Sequence, residues 1–278
     1  MVAETQGFFA KNNLRPEFID ALGGPDTVQA VVAGSADFGV AATDSMIRGV
    51  NKGAPIAMIA GGAYPALALV TAPTIDTYDK LRGKRIAVVS VTAGSTLFLI
   101  ELLRAHGLGE RDFEFVLSGN TPTRLAAITA GAVQGTVLSP PEDLTAQKAG
   151  FRVLGYVNEA ARFVFISHMV SKSFAAKNRA ATVAYARAIR DANRFLLDPA
   201  NRAASVSVLT KYTKTPQDRA EATYDTVVGK LKGFVKDAAL TPEDLAGMLR
   251  VIERTDKITG LRPETFIDPS YLREAGQR

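Results

Sequence analysis

Cysteine is absent from the 278 residues, which excludes disulfides, thiolate catalysis and thiolate metal sites together. Two histidines, His106 and His168, are too few for a histidine-based zinc centre. Tryptophan is also absent. No apolar run approaches the roughly 18 residues that a membrane helix needs. Neither sign of charge dominates: 33 Lys and Arg stand against 28 Asp and Glu, a net +5. The basic pairs Arg187 with Arg190 and Lys230 with Lys232 read as solvated helix faces rather than nucleic-acid contacts. The N-terminus shows neither a basic region ahead of an apolar core nor a small-residue cleavage site, so no signal peptide is read there.

What the chain does contain is one supersecondary unit written twice. Placing Ala33 and Gly34 on Ala130 and Gly131, an offset of 97 residues, aligns the copies without a gap. Phe18 falls on Phe115, Ile19 on Val116, Pro25 on Pro122, Ala30 on Ala127, Val31 on Ile128, Val40 on Val137, Gly53 on Gly150 and Ile56 on Val153. Any two βαβ stretches share some apolar positions, but a proline and two glycines in register favour duplication. Two such units in tandem suggest two lobes facing each other across a cleft, a preferred place to bind small molecules. A chain that is 47% hydrophobic can bury two modest cores.

The second copy is the easier to read. Arg85 to Ser90 is a short apolar run of the kind that forms a buried parallel strand. Val91 to Ser95 is a turn, and a helix follows from Thr96 to His106, with Ser95 as its N-cap and Gly107 as its terminator. Further strands are predicted at 113–117, 135–138 and 152–157. Strands alternating with helices give an α/β fold with mostly parallel sheets. The first-copy partner of Arg85 to Ser90 is expected before residue 1, so the first strand of lobe I is expected to be missing. After the second copy, 162–171 reads as a β run. Helices follow over 174–197, 200–212, 216–231 and 242–254, the last with Thr241 as N-cap, and the tail from Pro263 reads as irregular. The expected division is lobe I from residues 1–73 and 168–278 and lobe II from 74–167, with hinge crossings near 71–75 and 162–168.

Four segments, Glu4 to Leu14, the Gly23-Gly24 turn, Val28 to Val40 and Leu81 to Val88, resemble the periplasmic substrate-binding proteins of ABC importers. The branch is the nitrate/sulfonate/taurine-binding and thiamine-pyrimidine-synthase-like group. The resemblance is strong over residues 4–157 and only architectural beyond about 170. It implies a two-lobed periplasmic-binding-protein fold of the type II kind and a helical C-terminal segment. It also implies a monomeric, non-catalytic receptor for a small organic or anionic solute, without cofactor or metal. Its partner would be an ABC permease, its location the periplasm, and nucleic acid no part of its function. Two other classes stay open: an enzyme on the same fold, of the thiamine-pyrimidine-synthase or desulfinase kind, and the effector-sensing domain of a regulator. Family enzymes lean on cysteine-containing motifs, and no nucleophile–base pair is visible here by spacing.

Ligands of open α/β sheets sit beyond the carboxyl ends of parallel strands, where unpaired N–H groups at helix N-termini favour an anion or strong acceptor. In lobe II this nominates Thr92, Ala93, Gly94, Ser95 and Thr96, then Ser118, Gly119 and Asn120, then Ser139. In lobe I it nominates Gly23 and Gly24, then Thr43, Asp44 and Ser45, with Gly61 and Gly62 near the hinge as a second tier. Helix capping competes for Ser95, Thr96 and above all Asp44, which reads as an N-cap. Both histidines read as structural. The Thr92 to Thr96 turn stands first, because three hydroxyls beside a glycine exceed what one cap requires.

Overall fold

The computed structural model describes residues 1–159 and 163–277. In chain order the strands are β1 (Phe38–Ala42), β2 (Ile56–Ala63), β3 (Ala68–Thr71), β4 (Lys84–Val88), β5 (Phe113–Leu117), β6 (Gly135–Leu138), β7 (Arg152–Tyr156) and β8 (Ile166–Ser171). The first helices are α1 (Val2–Thr5), α2 (Phe8–Lys11), α3 (Gly24–Ala33), α4 (Thr43–Asn51), α5 (Gly94–Ala105), α6 (Thr121–Thr129) and α7 (Glu142–Lys148). The later ones are α8 (Lys172–Lys177), α9 (Arg179–Leu197), α10 (Arg202–Thr213), α11 (Gln217–Tyr224), α12 (Pro242–Asp256) and α13 (Ser270–Ala275).

The chain divides into two compact units: Met1–Tyr64 with Phe163–Lys214 and Val228–Arg278, and Pro65–Arg162 with Thr215–Val227. This division differs from the expected boundaries in three ways, the first being that residues 163–167, with the start of β8, belong to unit 1. Residues 65–73 belong to unit 2 because β3, unrecognised in the sequence, is hydrogen-bonded between β6 and β7. Residues 215–227 join them through α11, tied to α7 by Lys148 and Asp218 at 2.7 Å. The expected second crossing begins at residue 162, outside the described residues.

Unit 2 holds a five-stranded sheet in the order β5-β4-β6-β3-β7. Its interior strand β4 has Ile86, Ala87 and Val88 buried, as befits a strand covered on both faces. Helix α5 packs Leu97, Phe98, Leu99, Leu102 and Leu103 into this core. Unit 1 holds the three-stranded order β1-β8-β2, covered by α9, whose Val183, Ala186 and Ile189 join Phe9, Ile59 and Val170. The buried Asn193 of α9 fastens β2 to the chain near Val235, its Nδ2 donating to the carbonyls of Gly61 (3.2 Å), Gly62 (3.3 Å) and Val235 (2.9 Å).

Three expectations need correction. The sheets are not mostly parallel: the five-stranded one is mixed, with β4 parallel to β5 and β6 but β3 antiparallel to both its neighbours, and the three-stranded one is antiparallel throughout. Apolar content alone does not tell strand direction. The 174–197 helix is broken at Asn178 into α8 and α9. The tail is ordered into unit 1, where Met58 N–H donates to Phe266 O (2.9 Å) and Asp268 N–H to Met58 O (2.8 Å), and α13 follows. By contrast Thr241 caps α12 as expected, in a reciprocal capping box with Asp244.

Candidate functional site

In unit 2 the carboxyl ends of β5, β4 and β6 lie side by side, and each leads into a helix. After β4 the chain turns through Ser90, whose Oγ accepts the Thr92 N–H (3.2 Å) and shares a hydrogen bond with the Thr92 hydroxyl (3.1 Å). That closes the turn early, so α5 begins at Gly94 with Ala93 as N-cap and no side-chain cap bond. Ser95 is therefore not the cap that the sequence suggested. Gly94 and Ser95 hold the first two helical positions, whose N–H groups have no partner within a helix. Thr92 is exposed and Ser95 half-buried. Thr96 is only 1% exposed, and its hydroxyl has no hydrogen-bond partner.

The other two positions on this rim are more committed. Asn120 caps α6, its Oδ1 accepting the Thr123 N–H (3.1 Å) and hydroxyl (2.8 Å). Gly119 takes a left-handed φ of 68°, and Ser118 N–H donates to Val88 O (2.9 Å), tying this loop to the end of β4. Ser139 follows β6, and its carbonyl accepts the N–H groups of Glu142 (3.0 Å) and Asp143 (3.3 Å) at the start of α7.

Two charged residues beneath this rim escaped the sequence reading. Arg124 is buried, donating from Nε to Val137 O (3.1 Å), from Nη1 to Gly119 O (2.5 Å) and from Nη2 to Thr121 Oγ1 (3.2 Å). All three acceptors are neutral, and burial lowers its pKa while the charge of Glu142 opposes that. Asp143 is fully buried, neither carboxylate oxygen closes a hydrogen bond, and burial pushes its pKa up to about 6. The repeat carried a signal for the first: Thr27, at the position equivalent to Arg124, donates from Oγ1 to the Gly23 carbonyl at the N-cap of α3 (2.9 Å).

In unit 1 the N-termini of α3 and α4 meet. Gly24 lies so close to Ser45 that a Cβ there would collide with its Oγ and Cβ, and Gly23 is the extended N-cap of α3. Replacing Gly24 by Ala is expected to cost about 1–3 kcal/mol by overpacking, and Ser45→Gly in the same chain to recover most of it. Thermal melting of the two single variants and the double checks this. Thr43 is buried, its hydroxyl 2.8 Å from Ser167 Oγ and its N–H donating to Phe165 O (2.8 Å).

Asp44 is not the N-cap; Ala42 is. The Asp44 carboxylate pairs with Arg48 at 2.8 Å, and Arg48 also binds Asp256. Burial raises the Asp44 pKa, and the Arg48 charge opposes that. Gly61 and Gly62 lie in β2, close to the unit boundary after Tyr64, packed on Val235 and on Ile166 and His168. His168 bonds the Tyr185 hydroxyl through Nδ1 (2.9 Å), and burial pushes its pKa down to about 4.

Against this geometry the family comparison is decisive: the model described as NMT1/THI5 like matches residues 1–202. The chain belongs to the NMT1/THI5-like family. No curated relative matches it. Solved structures give the fold of this family member. The periplasmic aliphatic sulphonate binding protein SsuA from Escherichia coli is similar at 20% identity and a TM-score of 0.79, over 96% of this chain and 87% of that one. The ligand binding component of an ABC-type import system from Staphylococcus aureus, with zinc bound, is similar at 14% identity and a TM-score of 0.80, over 99% and 94%. The periplasmic nitrate-binding protein NrtA from Synechocystis PCC 6803 is similar at 14% identity and a TM-score of 0.73, over 99% and 84%. The fold is thus that of periplasmic ligand-binding proteins, and it serves chemically different ligands.

Proposed function

We propose that this NMT1/THI5-like protein is the solute-binding receptor of an ABC importer, taking a small organic or anionic solute and handing it to a membrane permease. One observation carries the reading: the start of α5. There the first-turn N–H groups of Gly94 and Ser95 adjoin three hydroxyls, and that of Thr96 is buried without a partner. Such a set satisfies an anion or a strong acceptor. The Arg124 guanidinium adds positive potential beneath the same rim, since its hydrogen bonds go to neutral oxygens. Asp44, neutralised by Arg48, does not act as a selector for amines. In unit 1, Gly23, Thr43 and Ser45 form a second candidate contact surface. The ligands named for structural relatives, aliphatic sulphonate and nitrate, support an anionic solute, and their location supports a periplasmic one. Native mass spectrometry of the purified protein should find one small molecule released on denaturation. The reading fails if the folded protein carries none and no sulfonate, nitrate or related small solute raises its melting temperature.

A further inference from the structure

The guanidinium of Arg124 is buried without a counter-charge in contact. The residue is 6% exposed, and its hydrogen bonds end on Val137 O, Gly119 O and Thr121 Oγ1, all neutral, with no ion pair among the described residues. A cation taken out of water is costly unless an anion meets it. Closing the loop does not call for that charge. At the equivalent position of unit 1 the neutral hydroxyl of Thr27 closes the first turn of α3, donating to Gly23 O (2.9 Å).

The bonds of Arg124 also say where the missing anion sits. Val137 follows Thr136, which pairs with Ala87 of β4, and Gly119 follows Ser118, whose N–H holds Val88 O (2.9 Å). The charge therefore lies at the carboxyl ends of three adjacent strands, spaced about 5 Å apart, and β4 leads from there into the turn before α5. Two carboxylates share this rim, Glu142 and Asp143 in the first turn of α7. Glu142 is half-buried, and its charge reaches Arg124 without an ion pair.

Resting on the receptor reading above, we infer that Arg124 is the charge selector of this site: its guanidinium attracts a singly charged anion held at the start of α5, and the α7 carboxylates turn away a doubly charged one. An arginine that only closed the loop would support ligands of one shape equally, whatever their charge. A selector separates them.

The test measures melting shifts and calorimetric affinities at neutral pH with nitrate, ethanesulfonate and benzenesulfonate, with the two matching neutral sulfonamides, and with sulfate. The wild type should bind its better sulfonate more than about 10-fold more tightly than the sulfonamide of the same shape or sulfate. Arg124→Gln should weaken sulfonate binding by about 10- to 100-fold and sulfonamide binding by less than about 3-fold. Arg124→Lys, which keeps the charge, should recover most of the difference. Arg124→Thr, the residue that unit 1 uses there, serves as the second uncharged variant should the first not fold. Glu142→Gln should narrow the gap between sulfonate and sulfate. Equal wild-type affinity for sulfonate and sulfonamide, tight sulfate binding, or equal losses in the uncharged variants overturns the proposal and leaves a receptor. So does a neutral or doubly charged molecule released from the purified protein; a singly charged one replaces the sulfonate in the same series. If no molecule is released and no probe binds, the receptor reading falls and the selector with it.

Discussion

Replacing Asp143 by Asn should raise the melting temperature by roughly 5–10 °C at about pH 7.5 and leave it nearly unchanged at about pH 4. Asp143 is 0% exposed and its carboxylate closes no hydrogen bond. Loss of solvation raises its pKa from 3.8 to about 6; the nearby amides of Leu144 and Asp143 offset part of this, and the charge of Glu142 adds to it. The folded pKa therefore lies above the unfolded one. Between the two values the unfolded chain gives up the proton first, so stability falls as pH rises from about 4 to about 6 and stays lower above that. A displacement of about 2 units corresponds to about 3 kcal/mol. Asn is neutral throughout and removes the loss, less the cost of burying an amide without full pairing. Melting curves of both proteins across this pH range decide it. A variant less stable at about pH 7.5 would mean that the carboxylate is paired in the native state.

The strands of unit 2 from β4 onward, and the helices between them, were legible in the sequence because their signals are local. Arg85 to Ser90 is a short apolar run, and Gly107 ends a helix in the left-handed conformation, φ 79°. The start of α5 was misplaced by two residues because its turn is closed by the Ser90 hydroxyl, a contact that competes with any cap drawn from composition. Residues 16–20 match β5 in pattern yet form no strand, since a strand needs a partner and the pattern does not say whether one is present. The antiparallel β3 was missed outright: Ala68 to Thr71 is four residues, buried throughout, too short for periodicity to mark. Arg124 and Asp143 were missed for a different reason. Charged residues read as surface by default, and their burial is created by tertiary packing. At the candidate site the sequence nominated the turn before α5 but misassigned the role of Asp44, which pairs with Arg48 four residues on, itself held by Asp256 more than two hundred positions away.

The double change Ser95→Ala and Thr96→Ala should weaken ligand binding by roughly 10- to 1000-fold and leave the melting temperature of the unliganded protein almost unchanged. The two effects separate because neither hydroxyl caps α5: Ala93 holds the cap position and no side chain closes it. The usual cost of about 1 kcal/mol for losing a cap therefore does not apply. Removing the unpartnered Thr96 hydroxyl also relieves a buried group that gains nothing in the empty state. In the complex, hydrogen bonds to a charged ligand contribute about 1.5–3 kcal/mol each, which sets the range of lost affinity. If the ligand is neutral, each bond contributes about 0.5–1.5 kcal/mol and the loss falls to the lower end of that range.

The most direct test is calorimetric titration of the wild-type and doubly substituted proteins with the molecule identified by native mass spectrometry, alongside their unliganded melting curves. A receptor that holds its solute at the start of α5 loses affinity at unchanged stability. Unchanged affinity, with or without a lower melting temperature, would contradict a binding role for this turn.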